Sequence, residues 1–304
     1  MSAPPQSDPS ADWTIGRLLQ WTADFLTRQE VVDARLATEV LLAGAVGCRR
    51  IDLYARFDRS PDEQALARFR ESVRRAATHE PVAYIVAEKE FFSLPFHVTR
   101  DVLIPRPETE VLVECVIDHC RAIGMPAPRL LDIGTGSGCI AVTLLTQIAG
   151  ATVVATDVSE PALKLAARNA ERHGVLDRLT PVEADLLALP GEVVPAGGFD
   201  VILSNPPYVA ADSVASLHKT VREFEPVIAL TDGGDGLACY RAIADGGPAF
   251  LRNGGAVFVE IDDGRAADVV TTMTQAGTLV HRRTWKDRVV ARERVLMFVR
   301  KSEV

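Results

Sequence analysis

The chain has 304 residues, with 33 lysines and arginines against 41 aspartates and glutamates, for a formal net charge of −8. This acidic balance argues against a surface that binds nucleic acid through many phosphate contacts. The hydrophobic content of 47% is ordinary for a globular protein, and the length is sufficient for one large and one small domain.

The cysteines and histidines are scattered along the chain. Neither the five cysteines nor the six histidines stand at the spacing of a metal site. We therefore expect reduced thiols, no catalytic metal and a cytoplasmic location. Residues 1–11 are polar and proline-rich, which predicts a disordered tail. No apolar run approaches the length of a membrane helix, so no membrane partner is expected.

Residues 12–79 are predicted to form an N-terminal helical domain. Leu18, Leu19, Phe25 and Leu26 fall on one face of a helix. A compact bundle of this kind is suited to docking a protein partner, so we expect it to recognise the substrate. The alternative is that the bundle only shields the catalytic domain.

Residues 80–104 change in character and predict a β-hairpin linker. The apolar residues Tyr84–Val86 are predicted as strand, and the chain is expected to turn at Ser93–Pro95. A helix from about Thr109 to Ile123 is then predicted at the start of a catalytic domain that covers residues 105–304.

A glycine-rich loop follows the first strand of this domain. The run Arg129–Ile133 predicts a buried strand, and Gly134–Gly138 leads into a helix from Cys139. Asp157 follows the next strand, where an acid can bind ribose hydroxyls. The same spacing also fits the dinucleotide pattern, so a nicotinamide oxidoreductase stays open here.

The sequence Asn205–Tyr208 follows another apolar strand, Phe199–Ser204. Two prolines end that strand, since neither can donate to a sheet. The Asn205 side-chain oxygen can accept one hydrogen of a planar –NH2 group, and the Pro206 carbonyl can accept the other. Tyr208 can stack on its π-face. This arrangement favours methyl transfer to a planar nitrogen. A nicotinamide enzyme has no evident use for the sequence Asn205–Tyr208 at this position.

These motifs together resemble a known family. Asp132–Gly138 with Asp157 is similar to the S-adenosylmethionine site of class I methyltransferases, and Asn205–Tyr208 resembles those that methylate amide or exocyclic amino nitrogens. Further segments resemble the PrmC/HemK protein-(glutamine-N5) methyltransferases, which act on peptide chain release factors. These segments are Glu90–Val98, Leu103–Glu110, Phe224–Pro226, Ala229–Leu230 and Asp235–Leu237. The family pattern is not followed at Asp262–Arg265 or Asp287–Arg294, where usual glycines are missing.

The resemblance implies a Rossmann-like α/β fold with a seven-stranded, mostly parallel sheet whose last strand runs antiparallel. It also implies methyl transfer from S-adenosylmethionine to the glutamine of the Gly-Gly-Gln motif of class I release factors. The implied cofactor-binding residues are Gly134, Thr135, Gly136, Ser137, Gly138, Asp157, Asp185, Leu186 and Asn205. The implied catalytic residues are Asn205, Pro206 and Tyr208, and substrate binding adds Pro207 and Arg106.

Alternative functions remain at this point. An N6-adenine DNA methyltransferase can use the same four residues on a flipped base, but it would be expected to add a basic target-reading region. A ribosomal protein glutamine methyltransferase would typically carry a different sequence after Pro105–Arg106. A non-catalytic binding protein is disfavoured by the intact Asp157 and Asn205. We expect a monomer that does not act on DNA.

Overall fold

The computed structural model describes residues 13–287 and 291–301. The chain divides into two compact units, Met1–Ala87 and Glu88–Val304. The tail predicted at residues 1–11 lies outside the described residues. The roles assigned to the predicted domains stay predictions.

The first unit is a helical bundle, as predicted. Its helices are α1 (Ile15–Arg28), α2 (Ala34–Val46), α3 (Arg50–Ala55), α4 (Glu63–Ala76) and α5 (Val82–Val86). Their shared core consists of buried apolar side chains, among them Leu26, Leu41, Leu42, Leu53 and Phe69. Each helix contributes one apolar stripe, and burial of these stripes drives the bundle together.

The prediction that Tyr84–Val86 form a strand is wrong, because these residues belong to helix α5. A five-residue apolar run fits a buried helical turn as well as a strand, so its pattern alone could not decide. The hairpin is smaller than predicted and consists of β1 (Glu88–Phe91) and β2 (Leu94–His97). It turns at Phe92 and Ser93, both with positive φ, rather than at Ser93–Pro95.

The second unit is built on a seven-stranded sheet within the described residues. Its strands are β3 (Arg129–Ile133), β4 (Thr152–Asp157), β5 (Leu179–Glu183), β6 (Phe199–Ser204), β7 (Leu251–Glu260), β8 (Leu279–Lys286) and β9 (Glu293–Arg300). Their order is β5-β4-β3-β6-β7-β9-β8. Strand β9 is antiparallel to both of its neighbours, β7 and β8. This confirms the prediction that the last strand of the chain runs antiparallel. The strand at the edge of the sheet is β8, not β9. The β8–β9 hairpin forms without the missing glycine; residues 288–290 within it lie outside the described residues.

Helices alternate with these strands along the chain. They are α6 (Glu110–Ala122), α7 (Cys139–Gln147), α8 (Glu160–Arg172), α9 (Lys219–Phe224), α10 (Ala238–Phe250) and α11 (Ala266–Thr274). Two apolar clusters are buried against the sheet. Strand β6 is buried along its whole length and β3 is buried from Leu130 onward, which explains why both strands are rich in apolar residues.

The order in which the chain adds strands to the sheet reverses between β3 and β6, although these two strands are parallel. Strands β4 and β5 continue from β3 to one side, whereas β6 and β7 lie on the other. Ile133 is opposite Ser204 in the parallel pairing of β3 and β6. Gly134 and Asn205, which directly follow these residues, therefore lie at the point of reversal, where open α/β sheets bind their ligands.

Candidate functional site

A cavity of about 380 Å³ opens at the carboxyl ends of these strands. It is large enough for a small organic ligand. Most of the residues predicted from sequence line it: Arg106, Gly134, Thr135, Gly136, Ser137, Asp157, Asp185, Leu186, Asn205 and Pro207. The structure thus brings the glycine loop, the acid after β4 and the asparagine after β6 into one site.

Helix α7 begins directly after the glycine loop, at Gly138. Gly138 has a φ of 77° and caps that helix, and a Cβ added there would lie 2.9 Å from Ala166 Cβ. A larger residue would therefore push α7 away from α8. Asn169, buried on α8, donates to the Ser137 carbonyl at 2.8 Å and so fixes the loop from behind.

Asp157 lies beside this loop at the end of β4. Its Oδ2 accepts the Gly136 backbone N–H at 2.9 Å, and its Oδ1 accepts the Ser159 N–H at 3.0 Å. A carboxylate has about four acceptor positions, so two remain for hydroxyl groups of a ligand. Asp157 therefore holds the loop in shape and offers acceptors to the cavity.

The cavity carries an acidic lining. Among the described residues that line it, the charged ones are Asp101, Asp157, Asp185, Asp232 and Arg106. Four carboxylates favour a positively charged ligand and oppose a pyrophosphate. This charge distribution fits a sulfonium cofactor with an amino group better than a nicotinamide dinucleotide.

Two polar atoms, Asp132 Oδ1 at the end of β3 and Ser137 Oγ in the glycine loop, lack hydrogen-bond partners among the described residues. Asp132 is fully buried and accepts a bond from the Thr135 hydroxyl at 2.8 Å through its other oxygen. Burial raises the pKa of Asp132 to about 7. Buried acceptors without partners are costly, and a cationic donor group near this loop would offset that cost.

The Asn205 side chain is held from one end. Its Nδ2 donates to Thr109 Oγ1 at 3.2 Å, which leaves Oδ1 as the end available to the cavity. Pro207 lines the cavity next to Asn205. Pro206 and Tyr208 lie beside the cavity rather than in its wall; Tyr208 packs against the apolar cluster under the sheet, and burial raises its pKa.

The segment Arg106–Glu110 makes three bonds that connect distant parts of the site. Arg106 pairs with Glu225, Thr109 accepts from Asn205, and Glu110 accepts the Phe92 backbone N–H at 2.7 Å. The segment also begins a helix, with Pro107 in the first turn. It is therefore a connector as well as a helix start.

Glu260 lies behind this connector, at the end of β7. It is 1% exposed, and its Oε2 has no hydrogen-bond partner among the described residues. Burial raises the pKa of Glu260 to about 7, although the Thr109 hydroxyl and Arg294 act in the opposite direction. The sequence marked neither Thr109, Glu225 nor Glu260 as a site residue. Thr109 and Glu225 do lie in segments that resemble the family, whereas Glu260 lies in none of those segments.

Comparison with known proteins places the two units in separate family models. The PrmC N-terminal domain model matches residues 17–86, and the methyltransferase small domain model matches residues 107–235. A release factor glutamine methyltransferase of Geobacter sulfurreducens is 43% identical over 265 residues, covering 87% of this chain and 90% of that protein. The chain belongs to the release factor glutamine methyltransferase family.

Other relatives agree with this assignment. The family member of Rhodopirellula baltica is 41% identical over 286 residues, covering 93% of this chain and 95% of that protein. A methyltransferase of Pyrococcus furiosus has a similar structure, with a TM-score of 0.50, 20% identity and coverage of 75% of this chain and 97% of that one. This likeness shows the methyltransferase fold, which confirms the predicted fold class.

Family membership makes this chain a methyltransferase, and the methyl donor of the family is of the S-adenosylmethionine type. No helix among the described residues is both long and apolar enough to cross a membrane. Within residues 13–287 and 291–301, no group of three or more potential ligands is arranged to hold a metal ion.

Proposed function

We propose that this enzyme transfers the methyl group of S-adenosylmethionine to the side-chain nitrogen (N5) of the glutamine in the Gly-Gly-Gln motif of class I peptide chain release factors, and thereby modulates translation termination. The observation that carries this proposal is the Asn205 side chain, held through Nδ2 with Oδ1 left for an acceptor –NH2 group. The relatives named as release factor glutamine methyltransferases support the choice of acceptor.

The chain offers a complete set of residues for the cofactor. When bound, S-adenosylmethionine supplies a methyl group on a positively charged sulfur. The loop Gly134–Gly138 would hold its methionine part, Asp157 would accept the ribose hydroxyls, and Asp185 with Leu186 would border the adenine. The acidic lining of the cavity supports this ligand over a dinucleotide.

The acceptor amide would be held by the residues that follow β6. Asn205 Oδ1 accepts one N–H of the glutamine, the Pro206 carbonyl accepts the other, and Tyr208 packs against the amide plane and excludes water. Two acceptors that hold both N–H groups would turn the nitrogen lone pair out of conjugation and toward the methyl group of the donor, and orientation supplies much of the acceleration. Arg106 lines the same cavity and pairs with Glu225.

We also propose that the helical unit, Met1–Ala87, recognises the body of the protein substrate. The protein is expected to act as a monomer in the cytoplasm, where release factors act. All five cysteines lie in the described part of the chain and are free thiols, which supports a reducing compartment.

The deciding experiment offers labelled S-adenosylmethionine with a release factor, a ribosomal protein or DNA as acceptor. We expect label on the release factor, and mass spectrometry should place one added methyl group on the Gly-Gly-Gln glutamine. Methylated adenine in DNA, or label on the ribosomal protein with none on the release factor, would refute the proposal.

A further inference from the structure

Residues 230–237 form a turn that lies directly before α10 and folds back onto the chain that follows β6. The backbone N–H of Val209 donates to the Leu230 carbonyl at 3.0 Å, and that of Ala211 donates to the Gly234 carbonyl at 2.9 Å. Both bonds join main-chain atoms, so they attach the turn to the backbone itself. The turn therefore holds the chain just after the residues proposed for the methyl acceptor.

A single carboxylate keeps this turn in shape. Asp232 Oδ1 accepts the backbone N–H groups of Gly234 at 2.8 Å and Gly236 at 3.1 Å, and its Oδ2 accepts that of Ala238 at 2.8 Å. Three bonds to a charged acceptor favour one conformation of the turn. A group added to the turn would therefore displace the neighbouring chain more readily than the turn itself.

Gly236 lies directly against the main chain of Tyr208. A Cβ added at Gly236 would lie 2.2 Å from the Tyr208 carbonyl oxygen and 2.8 Å from its carbonyl carbon. Ordinary contacts begin near 3.4 Å, so one of the two chains would have to move by about 1 Å. A residue without a side chain is therefore required for Tyr208 to lie where it does.

A displacement of Tyr208 reaches the Pro206 carbonyl, because the chain between them is stiff. The rings of Pro206 and Pro207 fix two φ angles near about −65°, so few dihedral angles remain to absorb a shift. The Tyr208 side chain is also restrained, since it packs against the same buried apolar cluster as Leu237 of the turn. Movement at the turn is therefore passed along the chain toward the end of β6.

We propose that Gly236 is a positioning residue for methyl transfer: without a side chain, it lets the turn hold Tyr208 and the Pro206 carbonyl where the acceptor amide requires them. This inference rests on the proposed transfer to a glutamine amide, for which these two residues supply a packing surface and one hydrogen-bond acceptor. Gly236 is outside the set of described residues that line the cavity. Its effect therefore passes through Tyr208.

Steady-state kinetics of the full-length enzyme with Gly236→Ala test this inference. The kcat for methylation of a release factor should fall roughly 10- to 100-fold, as expected when a reacting group is misplaced by about 1 Å. The affinity for S-adenosylmethionine, measured by calorimetry, should stay close to that of the wild type, because the glycine loop and Asp157 follow other strands. A variant that had only lost its fold would lose both properties.

The matched control is Gly233→Ala in the same turn. Gly233 has a φ of 77° and Gly236 one of 76°, so a side chain brings the same backbone strain at both positions. A Cβ at Gly233 meets no atom of the described residues within 4 Å. Both variants should lower the melting temperature, but only Gly236→Ala should lower kcat. Wild-type kcat in Gly236→Ala, or an equal loss of kcat in both variants, would overturn the inference.

A second variant decides the question if Gly236→Ala does not fold. Ala211 is the first residue of a short 3-10 helix, and Ala210 before it is extended, with a ψ of 145°. Proline is accepted at such a position. Ala211→Pro removes the N–H that bonds to Gly234 and so loosens the turn from the chain after β6. It should lower kcat without changing donor affinity, and a folded Ala211→Pro enzyme with wild-type kcat would contradict the proposal.

Hydrogen exchange gives a measurement that needs no methyl acceptor. The amide hydrogens of Val209 and Ala211 are bonded to the turn and should exchange slowly in the wild type. Exchange should be faster in Gly236→Ala and unchanged in Gly233→Ala. Equally slow exchange in Gly236→Ala and the wild type would overturn the inference. Failure of the wild type to methylate release factor would count against the proposed function alone, because exchange reports the contact without an acceptor.

Discussion

Arg106 and Glu225, which are 119 positions apart in the chain, form an ion pair with 2.5 Å between Nη2 and Oε1. The second oxygen of Glu225 accepts the backbone N–H of Ile104 at 3.2 Å. Residues of both segments 101–106 and 228–232 line the cavity. Glu225 therefore joins the chain before α6 to the loop that follows α9, and this ion pair connects two segments that line the cavity.

Arg106→Ala should destabilise the protein more than Glu225→Gln. The first change leaves the buried Glu225 carboxylate without its cation and should lower the free energy of unfolding by about 3 kcal/mol. The second removes the charge but keeps an acceptor for Ile104. Chemical denaturation measures both. Arg121→Ala, which breaks an exposed pair with Asp118, is the control and should change little; equal effects of all three would contradict the role given to Glu225.

Asp157→Ala should weaken binding of S-adenosylmethionine by about 1–3 kcal/mol, because a charged acceptor of the ribose hydroxyls is lost. Part of the loss will come from the Gly136 N–H, which also bonds to this carboxylate. Titration calorimetry measures the affinity. Asp177→Ala, at an exposed position, should bind normally. Unchanged affinity in Asp157→Ala would remove Asp157 from the site.

Asn205→Ala should lower kcat by roughly 100-fold or more, the scale seen when one stabilising group is removed from a transition state. The affinity for S-adenosylmethionine should fall only modestly. Asn253→Ala is the matched control, since Asn253 is exposed on β7. Single-turnover assays with a release factor measure the rate. Near-normal turnover in Asn205→Ala would rule out its role at the acceptor.

Asp200 should stabilise the fold at neutral pH and lose this effect in acid. Burial acts to raise its pKa, but Arg129 and Arg252 outweigh burial, so the net pKa is lowered. A lowered folded pKa gives stability that is full above the unfolded value of about 3.9 and is lost as pH falls below it. Asp200→Asn should therefore cost about 3 kcal/mol at pH 7 and clearly less at pH 3.

Urea unfolding at both pH values measures the effect of Asp200. The exposed Asp118 gives a control, Asp118→Asn, that should show little change at either pH. A destabilisation by Asp200→Asn that is equal at pH 7 and pH 3 would show that the carboxylate charge is not its source.

Removal of the helical unit, residues 1–87, should leave the affinity for S-adenosylmethionine largely unchanged. All residues that line the cavity belong to the second unit. KM for a whole release factor should rise steeply, whereas a short Gly-Gly-Gln peptide should be methylated at a similar rate by both forms. If the shortened enzyme methylates the whole release factor as well as the full chain does, the helical unit is only a shield.

The sequence predicted the central sheet well because its strands are buried on both faces. A short apolar run bounded by turn residues, such as Val201–Leu203, is typical of a strand that is buried on both faces. Helix α5 was misassigned because its run of five apolar residues fits both structures.

The site was predictable where its residues are close together in the chain. Gly134–Gly138 and Asp157 follow strands at a characteristic spacing, and Asn205 comes with its own motif. The bond between Thr109 and Asn205 spans 96 positions, and the one between Asn169 and His97 spans 72. Periodicity carries no information about such pairs, because tertiary packing of separate elements brings them together.

Because the strand order reverses between β3 and β6, the residues that line the cavity come from strands on the two sides of this point. The residues that we propose for the donor follow β3, β4 and β5, whereas those that we propose for the acceptor follow β6 or belong to the segment before α6. The cavity therefore combines residues from both sides of the point of reversal, and Asn205, which directly follows β6, belongs to the proposed sets for both the donor and the acceptor.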